Sequence, residues 1–73
     1  MHMTMIELTQ RDLSAATATS SVTLSFELRQ RSRLRTQLDD GREAAIVLAR
    51  GQVLRGGERL RSSTGDVVLV QAA

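Results

Sequence analysis

The chain contains no cysteine, proline, tryptophan, tyrosine or lysine, and it carries a single phenylalanine, Phe26, and a single histidine, His2. Each absence removes a class of answer. Without cysteine, neither a disulfide nor a thiolate metal site can stabilise the fold, and the redox compartment is left open. With one aromatic ring, the core must be built from leucine, isoleucine, valine and alanine, which a two-layer β fold can manage with little surplus. At 73 residues the chain holds one domain, near the lower size at which a hydrophobic core supports itself, and a partner or second domain would help it. No apolar run approaches the roughly 20 residues of a membrane helix. The start also lacks the basic and apolar regions of a signal peptide, so the expected location is cytoplasmic.

All 10 basic residues are arginine, against 8 acids, for a formal net charge of +2. The isoelectric point near 11.0 overstates this basicity, because arginine titrates so high that a small excess drives the value up, while the field at neutral pH stays modest. A GC-rich genome explains the arginine and alanine usage; an acidic partner or nucleic acid is the alternative.

The opening Met1-His2-Met3 reads as an appended remnant ahead of a natural start at Met3 or Met5. Residues 1–4 are therefore set aside, and the domain is expected over 5–73. Met5 to Gln10 alternates apolar and polar residues, the pattern of a strand with one buried face. Arg11 to Ser21, rich in small residues, reads as a loop. Val22 to Leu28 is the cleanest strand, with Val22, Leu24, Phe26 and Leu28 facing the core.

An unbroken continuation of that strand would line up Arg29, Arg31, Arg33 and Arg35 on the solvent face about 7 Å apart. It would also bury Gln30 and Ser32, which is costly for unpaired polar groups. The strand is therefore expected to break at about residues 29 to 32 and restart at Arg33, with Leu34, Thr36 and Leu38 pointing inward. The arginines then cluster without forming one straight row.

Asp39-Asp40-Gly41-Arg42 is a hairpin turn, in which Asp40 and Gly41 suit positive φ angles. Ala44 to Leu48 is a near-continuous apolar strand, expected to be covered on both faces, and Arg50-Gly51 ends it with a bend. Gly56-Gly57 is a further turn, Ser62 to Asp66 with Gly65 another, and Val67 to Val70 a last strand. The expected fold is all-β: a small two-sheet sandwich or barrel-like domain of about six short strands, with no helix required.

Chemistry has little to work with. Nucleophilic catalysis needs a base within reach of the nucleophile, and the only imidazole is His2 in the set-aside start. Asp39 and Asp40 resemble a carboxylate pair, but their place before Gly41 is turn chemistry. Arg55-Gly56-Gly57-Glu58 lacks the lysine and hydroxyl ending of a phosphate loop. His2 with Met1, Met3 and Met5 would make a poor soft-metal site. The arginines at 29, 31, 33 and 35 suit phosphates, but no exposed aromatic is expected beside them to stack on bases.

Taken together, Leu8-Thr9-Gln10-Arg11, Arg31-Ser32-Arg33-Leu34, Leu38-Asp39-Asp40-Gly41-Arg42-Glu43-Ala44, Leu48-Ala49-Arg50-Gly51, Leu54-Arg55-Gly56-Gly57-Glu58 and Leu60 resemble the N-terminal domain of the urease accessory protein UreE family. Their order and spacing carry the resemblance, from about Met5 to Ala73. Relatives often have proline where Ala49 stands and aspartate where Glu58 stands, departures that touch local turn geometry.

The resemblance implies a nickel metallochaperone that delivers Ni²⁺ during urease maturation, as a homodimer beside other urease accessory proteins. It implies that this domain is similar to the peptide-binding domains of certain heat-shock chaperones and serves protein contacts. The family's metal-binding histidine lies in a second, ferredoxin-like domain, so no metal or cofactor is expected in this chain.

The functional expectation is thus a partner-binding surface at Arg29, Arg31, Arg33 and Arg35, facing urease apoprotein or its accessory proteins. The alternative is a free-standing basic β domain that binds nucleic acid.

Overall fold

A computed structural model describes residues 5–14, 16–51 and 53–73; the reading of Met1-His2-Met3 lies outside them. The strands are β1 (Ile6–Arg11), β2 (Ser20–Leu24), β3 (Arg33–Gln37), β4 (Glu43–Val47), β5 (Arg59–Ser62) and β6 (Val67–Ala72), with one short helix, α1 (Phe26–Arg29), between β2 and β3. They form one continuous 6-stranded sheet in the order β2-β6-β5-β1-β4-β3, rolled into a nearly closed barrel rather than split into two sheets. The β1–β4 and β2–β6 pairs are parallel and the other three are antiparallel.

The two-residue alternation of each strand decides what lies inside. Ile6 and Leu8 of β1, Val22 and Leu24 of β2, Ala44 and Ile46 of β4, Leu60 of β5 and Val68 and Val70 of β6 fill the barrel. Leu54 joins them from a segment with no regular structure, and Leu38 from the end of β3. The outward residues Ala45 and Val47 of β4 stay half-buried, so this strand is only partly covered on its outer side. The register sets Arg33 opposite Val47 and Arg35 opposite Ala45.

The expected strand over Val22 to Leu28 stops at Leu24, and the chain turns into α1. Ser25 caps the helix, its hydroxyl accepting from the Leu28 amide at 3.3 Å, with Glu27 in the first turn and Arg29 in the last, where each suits the helix dipole. The helix turns Phe26 away from the core, leaving it 61% exposed, against the expectation of a buried ring. The exposed aromatic absent from the sequence reading is therefore present, although the Arg29 guanidinium lies over its ring at 5.5 Å. Strand structure resumes at Arg33, and Leu34 and Thr36 point inward as expected.

Four glycines sit in turns with left-handed backbone. Gly41 has φ +98° and Gly51, Gly57 and Gly65 also lie at positive φ, a region L side chains rarely adopt. Gly56 does a different job: a Cβ there would lie 3.2 Å from the Cβ of Ala72, so its lack of a side chain lets the 56–57 turn approach the end of β6.

Asp39 closes the barrel. Its amide donates to the Ser21 carbonyl at 2.9 Å. Its carboxylate accepts from the Ser21 hydroxyl at 2.7 Å, the Thr23 hydroxyl at 3.0 Å and the Thr23 amide at 3.2 Å. Asp40 adds the Ser20 hydroxyl at 2.9 Å. The β3–β4 turn is thereby tied to β2, the opposite edge of the sheet. Asp39→Ala should lower stability by about 1–2 kcal/mol, since several exposed bonds to a carboxylate go at once. Denaturant unfolding together with hydrogen exchange at the Thr23 amide checks this: unchanged exchange there would mean the seam is held by something else.

Candidate protein-interaction surface

The four arginines singled out from the sequence do not share one environment. Arg29 is half-buried; its guanidinium donates to the carbonyls of Leu24 and Leu54, both at 3.3 Å. It links the end of β2, the helix and the Leu54 plug, so its charge is largely spent on the fold. Arg31, Arg33 and Arg35 are exposed. Among the described residues the ion pairs are Arg11 with Glu58 and Arg42 with Asp40, so these three arginines have no carboxylate partner. Arg33 and Arg35 sit two residues apart on β3, on one outward face, and Arg31 precedes them in the connection from α1.

Several other charged groups are engaged locally, although the side chains of Arg50, Arg55 and Arg59 are in no ion pair among the described residues. The Arg11 guanidinium donates to Glu58 Oε1 at 2.8 Å, and Glu58 Oε2 accepts the Arg55 amide at 3.1 Å. Glu58 thus ties the 55–58 turn to β1. Arg11, Asp12, Leu13 and Glu58 line a shallow pocket on this side. The Asp12 carboxylate there takes both the hydroxyl and the amide of Ser14, whereas the buried Nε of Arg11 has no partner among the described residues. Those bonds hold the Asp12 carboxyl below its ordinary value of 3.8. Asp40 is lowered in the same direction, first by the Arg42 amide and further by the Ser20 hydroxyl and the Arg42 side chain. Both carboxylates stay charged at neutral pH as parts of turns.

Among the described residues no group of three or more histidine, cysteine, aspartate or glutamate side chains converges as a metal site would require, and no described helix is long and apolar enough to cross a membrane. What stands out is a surface: one edge strand whose outward side chains include two guanidinium groups with no carboxylate partner, Arg33 and Arg35.

The family model for the N-terminal domain of the urease accessory protein UreE matches residues 5–73. The chain belongs to the UreE N-terminal domain family. It is 51% identical over 69 residues to the urease accessory protein UreE of Alkalilimnicola ehrlichii, covering 94% of this chain and 42% of that protein. It is 53% identical over 70 residues to UreE of Pseudomonas putida, covering 94% and 44%, and 60% identical over 50 residues to UreE of Ralstonia nicotianae, covering 68% and 24%. The chain therefore spans less than half the length of these UreE relatives.

Two features of this UreE domain had no local sequence signal. The inward turn of the Arg29 side chain follows from the helix that displaced the expected strand. The bonds from Asp39 to Ser21 and Thr23 join residues 16 to 18 positions apart, which no turn motif announces.

Proposed function

We propose that this chain is the protein-contacting, peptide-binding-like domain of a nickel metallochaperone acting in urease maturation. It presents its surface to urease apoprotein or to other urease accessory proteins. Membership of the UreE family supports the setting. The observation that carries the contact role is the density of exposed, carboxylate-free guanidinium groups at Arg31, Arg33 and Arg35, three within five residues along one edge of the sheet.

A guanidinium presents a rigid fork of donors that matches a carboxylate in two parallel bonds. Arg33 and Arg35 on one outward face, with Arg31 exposed just before them, steer an acidic partner surface into contact and fix its orientation. Nickel in this reading is cargo held by histidine in another part of the full-length protein, which acts as a homodimer in the cytoplasm; the domain described here contributes affinity and placement for the recipient.

The test is capture of urease apoprotein, with its accessory proteins, on the immobilised chain. Charge reversal at Arg33 and Arg35 should weaken capture, and retention equal to the parent chain would remove the arginines from the interface.

A further inference from the structure

The edge strand β3 has an unused hydrogen-bonding side. The Leu38 amide donates to the Arg42 carbonyl at 2.7 Å and the Leu48 amide to the Ser32 carbonyl at 2.8 Å. With the β3–β4 register between these points, the bonds of Ser32, Leu34, Thr36 and Leu38 face β4, as the alternation of an antiparallel ladder requires. The amides and carbonyls of Arg33, Arg35 and Gln37 therefore face the other way, toward β2. Asp39, the next odd-numbered residue, makes its bond to Ser21 in that direction. Arg33, Arg35 and Gln37 themselves reach no backbone partner there among the described residues.

The seam between β2 and β3 is thus pinned at Asp39 and unpaired along β3. Side-chain burial agrees. The core residues that the five other strands contribute are buried, with only the strand-end positions Ser20 and Ala72 less covered, whereas Leu34 and Thr36 in the middle of β3 are half-buried, as is Leu28 nearby in sequence. Both the polar edge and the core face lack cover at the same place.

Resting on the interaction-domain reading above, we propose that the free edge of β3 is a strand-addition site for an extended partner segment that alternates acidic and apolar residues. Backbone pairing with Arg33, Arg35 and Gln37 would supply affinity. In an antiparallel match, the residues that exchange bonds with Arg33 and Arg35 place their side chains on the same outer face, next to the guanidinium groups. Those are the acidic positions. The residues between them point inward and cover Leu34 and Thr36, so they are apolar. A second copy of this chain is a poor occupant, because pairing two β3 edges would bring arginine rows of like charge together.

The experiment uses the 73-residue chain and a capped heptapeptide alternating glutamate and valine, at millimolar concentration, with amide hydrogen exchange followed by NMR. The amides of Arg33, Arg35 and Gln37 should slow about tenfold or more on binding. N-methylation of the valines should leave this protection intact, since their N–H groups point away from β3, whereas N-methylation of the glutamates should abolish it. Equal effects from both methylated peptides, no protection from the parent peptide, or protection elsewhere on the barrel would overturn strand addition. Equal protection by a lysine–valine heptapeptide would overturn the acidic preference. Loss of capture on charge reversal without strand addition would leave the arginine surface standing and reject only the edge, which separates the two readings.

Discussion

Leu60→Ala should destabilise the domain severely. Leu60 lies on β5 with no exposed surface, and truncating such a leucine costs about 2–5 kcal/mol through lost burial and the cavity left behind. A chain of 73 residues is stable by only about 4–11 kcal/mol, at roughly 0.05–0.15 kcal/mol per residue. The substitution therefore removes a large share of the total, and the melting temperature should fall by about 13–33 °C. No disulfide is present to offset it, and the single aromatic ring, Phe26, lies outside the core. Leu13→Ala is the matched control: Leu13 is 92% exposed, so the same change should stay within about 0.5 kcal/mol. Thermal melts of both variants decide the matter, and equal shifts would mean that the barrel interior is wrongly assigned.

Arg33→Glu combined with Arg35→Glu should weaken capture of the urease apoprotein complex by about 10- to 100-fold while the fold persists. Each exposed arginine contact is worth about 0.2–1 kcal/mol, and reversal replaces attraction with repulsion. The pair together should cost about 1.5–3 kcal/mol, with each 1.4 kcal/mol a factor of ten. Capture by the parent chain should also fall as salt rises, because these groups are solvent-exposed. Both side chains point outward from an edge strand, so their loss opens no cavity. Circular dichroism of the variant should match that of the parent chain, and unchanged capture would show that the arginines are a solvated face and nothing more.

Much of the barrel was legible because alternation is a local signal. Ile6 and Leu8, and Leu34 and Thr36, each announce a strand and its inward face; the run Ala44 to Leu48 announces a strand without telling its two faces apart, and Gly41 marks the turn between β3 and β4. Phe26 was not legible in the same way. The pattern from Val22 to Leu28 fits a strand well, but Ser25 can cap a helix, and Arg29 reaches the carbonyls of Leu24 and Leu54 only when the chain turns there. Those bonds are tertiary, so alternation loses to contacts that a short window does not contain.

The candidate surface was half legible for the same reason. The density of arginine from residue 29 to residue 35 was visible, but the separation of Arg29 from the other three depends on the helix. The open edge of β3 depends on which strands become neighbours, and the order β2-β6-β5-β1-β4-β3 includes two parallel pairs that no hairpin signal foretells. Asp39 was readable as a turn residue; its hold on β2 was not.

Site-specific photo-crosslinking tests most directly whether this UreE domain meets its partner through β3. A photoreactive residue is placed at Gln37, exposed on β3 beside Arg35, and in a second variant at Arg61, exposed on β5 across the barrel. Each chain is irradiated with urease apoprotein and its accessory proteins. Crosslinks from position 37 and none from position 61 are expected. Crosslinks from position 61 with none from position 37 would contradict the assignment of the contact surface to β3 and its arginines.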